Sequence, residues 1–178
     1  MTAPTLRTER LVLRQLVLDD AAALFPILSD DAAMHYWSSG PHRHEDETRE
    51  YLQWNADPNC GHHCWAITFT GEKALGWVIL IPRRTGNFEL GYILAREFWG
   101  QGLATEAISA ALDFAFRTLK LRRVMADTDP ENNGSIALLR KLGFRQEGHL
   151  RAEWETHIGV RDSLIFGLLQ SEWRSPTS

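Results

Sequence analysis

The spacing of apolar positions changes several times along this 178-residue chain, and each change marks an element. From Thr8 to Leu16, Leu11 and Leu13 alternate with Arg10, Val12 and Arg14, the two-residue period of a half-exposed strand. Asp19 and Asp20 stand where a helix cap belongs, ahead of the apolar Leu24, Phe25 and Leu28. Pro26 inside that stretch predicts a short or broken helix. A further helix is predicted from about Glu45 to Trp54, before the Asp57-Pro58-Asn59 turn. Trp65 to Phe69 and Leu75 to Ile81 read as strands joined at Gly71, Pro82 to Asn87 as a turn, and Phe88 to Leu94 as a strand.

The pattern is strongest after Gly102. Ala107, Ile108, Ala111, Leu112, Ala115, Phe116 and Leu119 form one broad apolar helix face, with Glu106, Ser109, Asp113 and Arg117 on the other side. Arg123 to Asp129 reads as a strand, and Ser135 to Leu142 as a short helix stopped by Gly143. Leu150 to Thr156 and Ser163 to Leu169 make a closing hairpin around Ile158-Gly159. Strands and helices alternate and strands end the chain, so the expected class is α/β with a mixed sheet. No linker or repeat divides the sequence. One domain is expected over residues 1–178, with an ordered core from about 8 to 173 and a frayed Pro/Ser tail after Trp173.

Composition narrows the function. The apolar fraction of 44% and charged fraction of 24% are those of a soluble globular protein. No apolar run approaches the roughly 18 residues of a membrane span. MTAPTLRTER lacks the apolar core of a signal peptide, so a cytoplasmic location is expected. A net charge of −4 argues against nucleic acid as a partner and tolerates an amine-bearing one.

Candidate chemistry begins at the Gly100/Gly102 loop, where a strand runs into the Ala-rich helix. Unpaired N–H groups at the positive end of a helix dipole make an anion seat, suited to a phosphate or pyrophosphate. A Walker loop is excluded because Leu103 and Ala104 follow Gly102, and a dinucleotide fingerprint because Thr105 stands where its third glycine belongs. The remaining spacing resembles the acyl-coenzyme-A loop of the GNAT N-acetyltransferases, Gln/Arg-x-x-Gly-x-Gly/Ala. Trp99 in its first position is similar to the ribosomal-protein (RimJ/RimL-like) branch. A second landmark, Asn132 and Ser135 followed by Gly143-Phe144, resembles the family segment that flanks the coenzyme on its other side. Thr8 to Arg14, Glu89 to Tyr92 and Gly159 to Trp173 also resemble that branch, so the likeness covers nearly the whole chain.

The resemblance implies a GNAT fold: a mostly antiparallel twisted sheet, splayed at the coenzyme site and flanked by helices. It implies acetyl-CoA as co-substrate, with amides of Gln101, Gly102, Ala104 and Thr105, next to Gly100, around the pyrophosphate. Backbone groups of Ile93 and Leu94 would pair with the pantetheine arm, as would Asn132, with Ser135 near the thioester sulfur. Lys141 or Arg140 would reach coenzyme phosphates or stay solvated. The Leu94 N–H is the implied oxyanion donor.

The base needed depends on the amine. An α-amine titrates near ~7.7–8.0 and a lysine near ~10.4, so a carboxylate acting through water suffices for the former. Glu89 and Glu155 are the catalytic candidates, with Glu153 two residues before the latter; ion-paired or solvated strand positions are the alternative reading. Many GNAT enzymes carry a tyrosine acid where Leu139 stands here, which leaves Ser135 to hydrogen-bond the departing thiolate or to serve as a helix cap. Cys60-Gly61-His62-His63-Cys64 has a crowded spacing for zinc, and no metal is expected. Tyr36 and Trp37 line the acceptor pocket or pack as core, with core the favoured reading, and Trp99 is expected to brace the loop. The implied function is acetyl transfer to a protein or peptide N-terminal amine. A small amine as acceptor and a non-catalytic acyl-CoA sensor are the alternatives, and a homodimer is compatible with either.

Overall fold

A computed structural model describes residues 2–175. The chain runs β1 (Leu6–Arg7), β2 (Val12–Gln15), α1 (Ala21–Leu28), α2 (Asp31–Met34), α3 (Glu45–Ala56), β3 (His63–Thr68), β4 (Gly76–Arg84) and β5 (Asn87–Leu94). It continues through α4 (Leu103–Asp113), β6 (Arg123–Thr128), α5 (Asn133–Lys141), β7 (Arg145–Thr156) and β8 (Gly159–Leu169). The strands form one eight-stranded mixed sheet in the order β1-β2-β3-β4-β5-β6-β8-β7. Among the described residues only the β5–β6 junction is parallel. Among the described residues no helix is long and apolar enough to cross a membrane.

Side-chain alternation divides the sheet between two cores. Leu13, Trp65, Ile67, Val78, Leu80, Leu90, Val124, Ala126 and Phe166 face α4 and α5. Cys64, Ala66, Trp77, Ile79 and Ile93 face α1, α2 and α3. Ile108, Leu112 and Phe116 are buried on the first side, each contributing roughly 1.5–3 kcal/mol, so the predicted apolar face holds α4 rigidly. Beyond Asp113 the helix widens into a π-helical turn, Phe114–Thr118.

Several local expectations are corrected. Thr8 to Leu16 is not one strand: the Thr8 N–H donates to the Leu11 carbonyl, the Leu11 N–H donates to the Thr8 hydroxyl, and this turn folds β1 back on β2. Asp20 does not cap α1; its carboxylate accepts from the Val17 N–H and from Arg14 instead. β4 continues through Pro82 to Arg84, with its irregularity at the proline, so the turn there is shorter than expected. The final hairpin starts at Arg145 rather than Leu150. The packed region begins before residue 8, because Ala3 is buried and the Trp65 indole donates to the Pro4 carbonyl. At the other end Arg174 and Ser175, within the tail expected to fray after Trp173, are hydrogen-bonded; the rest of that tail lies outside the described residues.

Two features of the sheet position the site. β5 and β6 pair only over Asn87–Glu89 and Arg123–Met125, and then part. Beyond Glu89 the main chain of β5 faces a gap. Gly76 lies opposite the end of β5 with φ +152°, and a Cβ there would fall 2.1 Å from the Ile93 carbonyl oxygen. Only glycine permits that approach.

Candidate active site

The gap between β5 and β6 opens onto the start of α4. Gly102 precedes this helix in the left-handed conformation (φ +79°) and, having no side chain, bonds none of the first-turn amides. The Glu106 N–H donates to the Gly102 carbonyl (3.0 Å), the first i to i−4 bond of the helix. The amides of Leu103, Ala104 and Thr105 precede it, and a helix start leaves such donors unpaired. The Trp99 indole donates to the Leu94 carbonyl (2.8 Å), so the tryptophan ties the loop to the end of β5 by a hydrogen bond. Arg10 flanks the loop, donating to the Gln101 carbonyl (3.0 Å) and pairing with Glu106.

A cavity of about 970 Å³ connects this helix start, the β5–β6 gap and the aromatic residues of the α1–α3 side. Of the expected coenzyme-side residues, Ile93, Leu94, Gly100, Gly102, Ala104, Thr105, Asn132, Ser135 and Lys141 line it. Gln101 and Arg140 do not. The Gln101 side chain turns back to the Glu97 carbonyl (2.8 Å).

Asn132, not Ser135, caps α5: its side-chain oxygen accepts from the Ser135 N–H (3.1 Å). That occupies Asn132 Oδ1 and leaves its amide NH₂ as the group able to donate into the cavity. The Ser135 hydroxyl is bonded instead to the Tyr92 hydroxyl, at 2.7 Å. Burial pushes the Tyr92 phenol up to about 12, against a smaller opposing effect of the Ser135 bond. The phenol therefore stays protonated at physiological pH. Leu139, in the position of the usual family tyrosine, is fully buried.

The opposite face carries carboxylates. Glu89 lines the cavity and is paired with Arg83 (2.5 Å). Asp129 is paired with Arg161 (2.7 Å), which also holds Glu131 (2.8 Å). Burial alone would raise the Asp129 pKa, but the Arg161 bonds bring it below the usual carboxylate range. Asp127 lines the same region, bonded to the Trp154 indole (2.9 Å) and the Ser163 hydroxyl (3.3 Å). Glu153 and Glu155 lie outside the cavity lining, whereas Trp154 and Thr156 belong to it. The cause is register: Glu155 pairs with the exposed Val160, while Trp154 pairs with Arg161. Adjacent residues of a strand face opposite ways, and the geometry turns Glu155 from the site.

Tyr36 and Trp37 line the cavity rather than serving only as core. Trp37 does both, meeting Trp77 edge-on (5.8 Å) and donating to the Tyr51 hydroxyl (3.0 Å). In the Cys60–Cys64 segment, Cys60 is exposed while Cys64, His62 and His63 are buried, and the His62 ring contacts the Asn55 carbonyl (3.0 Å). Sequence reasoning missed Arg10, Tyr92, Asp127 and Trp154. Tyr92 carried a local signal, a phenol in the strand that feeds the loop; the other three depend on long-range pairing.

The GNAT acetyltransferase domain family matches residues 10–145 of this chain. The uncharacterized N-acetyltransferase p20 of Bacillus licheniformis is 33% identical, with 95% of this chain and 98% of that protein covered. A probable GNAT acetyltransferase structure from Chromobacterium violaceum superposes with a TM-score of 0.87 at 28% identity, covering 97% of this chain and 90% of that one. The spermidine N-acetyltransferase of Vibrio cholerae, solved with CoA and spermine, gives 0.79 at 27% identity, covering 93% and 98%. A sheet splayed beside an uncapped helix start, in a chain with these relatives, has one family assignment: this protein belongs to the GNAT acetyltransferases and is an enzyme of that class.

Proposed function

We propose that the protein transfers the acetyl group of acetyl-CoA to a primary amine, the amine entering from the α1–α3 face and the coenzyme from the α4 face. The observation that carries this reading is the single cavity joining the α4 helix start, through the β5–β6 gap, to an acidic and aromatic pocket. The residues fit the co-substrate: free amides at Ala104 and Thr105 suit a diphosphate, and the open edge of β5 around Ile93 and Leu94 suits an amide-bearing arm. Bound there, acetyl-CoA supplies an activated acyl group. Gly100 and Gly102 let the diphosphate approach the backbone, Lys141 offers it a charge, and Asn132 a donor.

The chain's own contributions follow from position. The Leu94 N–H is the oxyanion donor, on a residue whose carbonyl is fixed by Trp99. Glu89 accepts the amine's proton through water, exchanging Arg83 for that partner. Ser135 hydrogen-bonds the departing thiolate. Trp99 before the loop favours the RimJ/RimL-like branch, whereas Leu139 in the tyrosine position favours the non-catalytic sensor.

Of the acceptors, the N-terminal amine of a protein or peptide remains the first reading, because its ammonium form, titrating near ~7.7–8.0, gives up a proton more readily than that of a lysine near ~10.4. Small amines are the second, favoured by the spermidine acetyltransferases among its relatives, such as the Escherichia coli enzyme at 28% identity. Thiol release from acetyl-CoA, measured with N-terminal peptides, monoamines and polyamines, tests this. Turnover with peptides above the small amines is the expected result. Coenzyme binding without turnover on any amine would replace catalysis with a sensor.

A further inference from the structure

The cavity carboxylates differ in what satisfies them. Glu89 has the Arg83 guanidinium, and Asp129 shares Arg161 with Glu131. Asp162, also in the lining, is held by the Ala152 N–H (2.9 Å) and His149 (2.7 Å). Asp127 has only neutral donors, the Trp154 indole and the Ser163 hydroxyl, and both end on the same oxygen, Oδ2. Among the described residues Asp127 makes no ion pair, and none donates to its Oδ1. Arg83 is near enough to feel the Asp127 charge without pairing with it.

Asp127 lies on β6 past the point where β5 departs, since the last β5–β6 pair is Glu89 with Met125. Val124 and Ala126 face α4, so Asp127 projects to the other face, the one that carries Trp77 and Ile79. The indole of Trp154 fixes the carboxylate, while the rings of Tyr36, Trp37 and Trp77 line the same cavity. A carboxylate oxygen with an open valence beside aromatic faces is suited to an ammonium group.

We propose that Asp127 Oδ1 is the seat of the acceptor's ammonium group, which makes the acceptor class an aliphatic primary amine that arrives protonated. This rests on the acetyl-transfer reading but adds a residue and a charge state to it. The ammonium docks on Oδ1, then gives its proton to water or Glu89 within the cavity, and the neutral nitrogen is left facing the gap. Amines that are neutral in solution, such as anilines, gain nothing from this seat.

The test is separable from catalysis. Phenethylamine, its neutral analogue 2-phenylethanol, and a tripeptide with a free N-terminus are titrated calorimetrically into CoA-saturated protein and into its Asp127→Asn variant. Asparagine keeps an oxygen for the Trp154 indole, and unchanged CoA affinity verifies that the site is intact. Both amines are expected to bind at least tenfold more weakly to the variant, while the alcohol binds the two proteins alike. In turnover, Asp127→Asn raises KM for aliphatic amines much more than it lowers kcat. Equal amine affinity in the two proteins, an equal loss for the alcohol, or no amine binding to the wild type overturns the seat. Amine binding that depends on Asp127 without any acetyl transfer would retain it while removing the catalytic reading.

Discussion

The Tyr92 and Ser135 hydroxyls lie 2.7 Å apart, one from the strand bordering the gap and the other from the first turn of α5. Since the phenol keeps its proton, it can donate to Ser135 and leave the serine's own hydrogen to turn into the cavity. Ser135 is then oriented for a thiolate without being an acid itself.

Replacement of Tyr92 tests that orientation. Tyr92→Phe is expected to lower kcat about three- to tenfold, the worth of one hydrogen bond, with KM for acetyl-CoA unchanged. Ser135→Ala alone should cost at least tenfold. The two changes together should cost no more than Ser135→Ala, because the tyrosine acts through the serine. Steady-state thiol release of all three variants checks this, and additive losses would break the link.

Gly102 is the second target. Its left-handed backbone disfavours any residue with a Cβ by ~1–2 kcal/mol, although the nearest atom, Arg10 Nη2, would stand 3.5 Å from that carbon. Gly102→Val should therefore reorient the amides of the helix start and weaken acetyl-CoA binding at least tenfold by calorimetry.

Glu106 should make stability depend on pH. Burial would raise its pKa, but the Thr8 hydroxyl, the Arg10 amide and the Arg10 guanidinium together bring it below the usual range. A depressed folded pKa gives stabilisation that is full above the ordinary glutamate value of ~4.3 and is lost as pH falls through the folded value. Glu106→Gln is expected to cost about 1–2 kcal/mol at pH 7. That difference should shrink as unfolding is followed down to pH 3.

Arg14 supports a nearly buried carboxylate. It bonds both oxygens of Asp20 (2.9 and 2.6 Å), whose side chain is 5% exposed. Arg14→Met would strand that charge, with a loss of about 3 kcal/mol in urea unfolding. Arg14→Met combined with Asp20→Leu should recover much of it.

How much was legible follows the range of the interactions. The α4 helix, the glycine loop and the strands around them announced themselves through local period and turn chemistry. Partners distant in sequence did not. Tyr92 meets Ser135 across 43 residues, and Arg10 meets Glu106 across 96. Glu155 shows the limit of alternation. Periodicity grouped it with Glu153, but which face turns inward depends on pairing with β8 and on the irregularity between Leu150 and Trp154, where Ala152 takes φ +51°. Asp20 resembled a cap because it precedes a helix, and only the folded chain brings Arg14 beside it.

The parting of β5 from β6 also has a mechanical meaning. Main-chain bonding between the first five strands and the last three crosses the sheet through just three residue pairs, Asn87, Phe88 and Glu89 with Arg123, Val124 and Met125. The sheet has a narrow neck there. A molecule hydrogen-bonded to both strands in the notch would bridge the two halves and act as a splint.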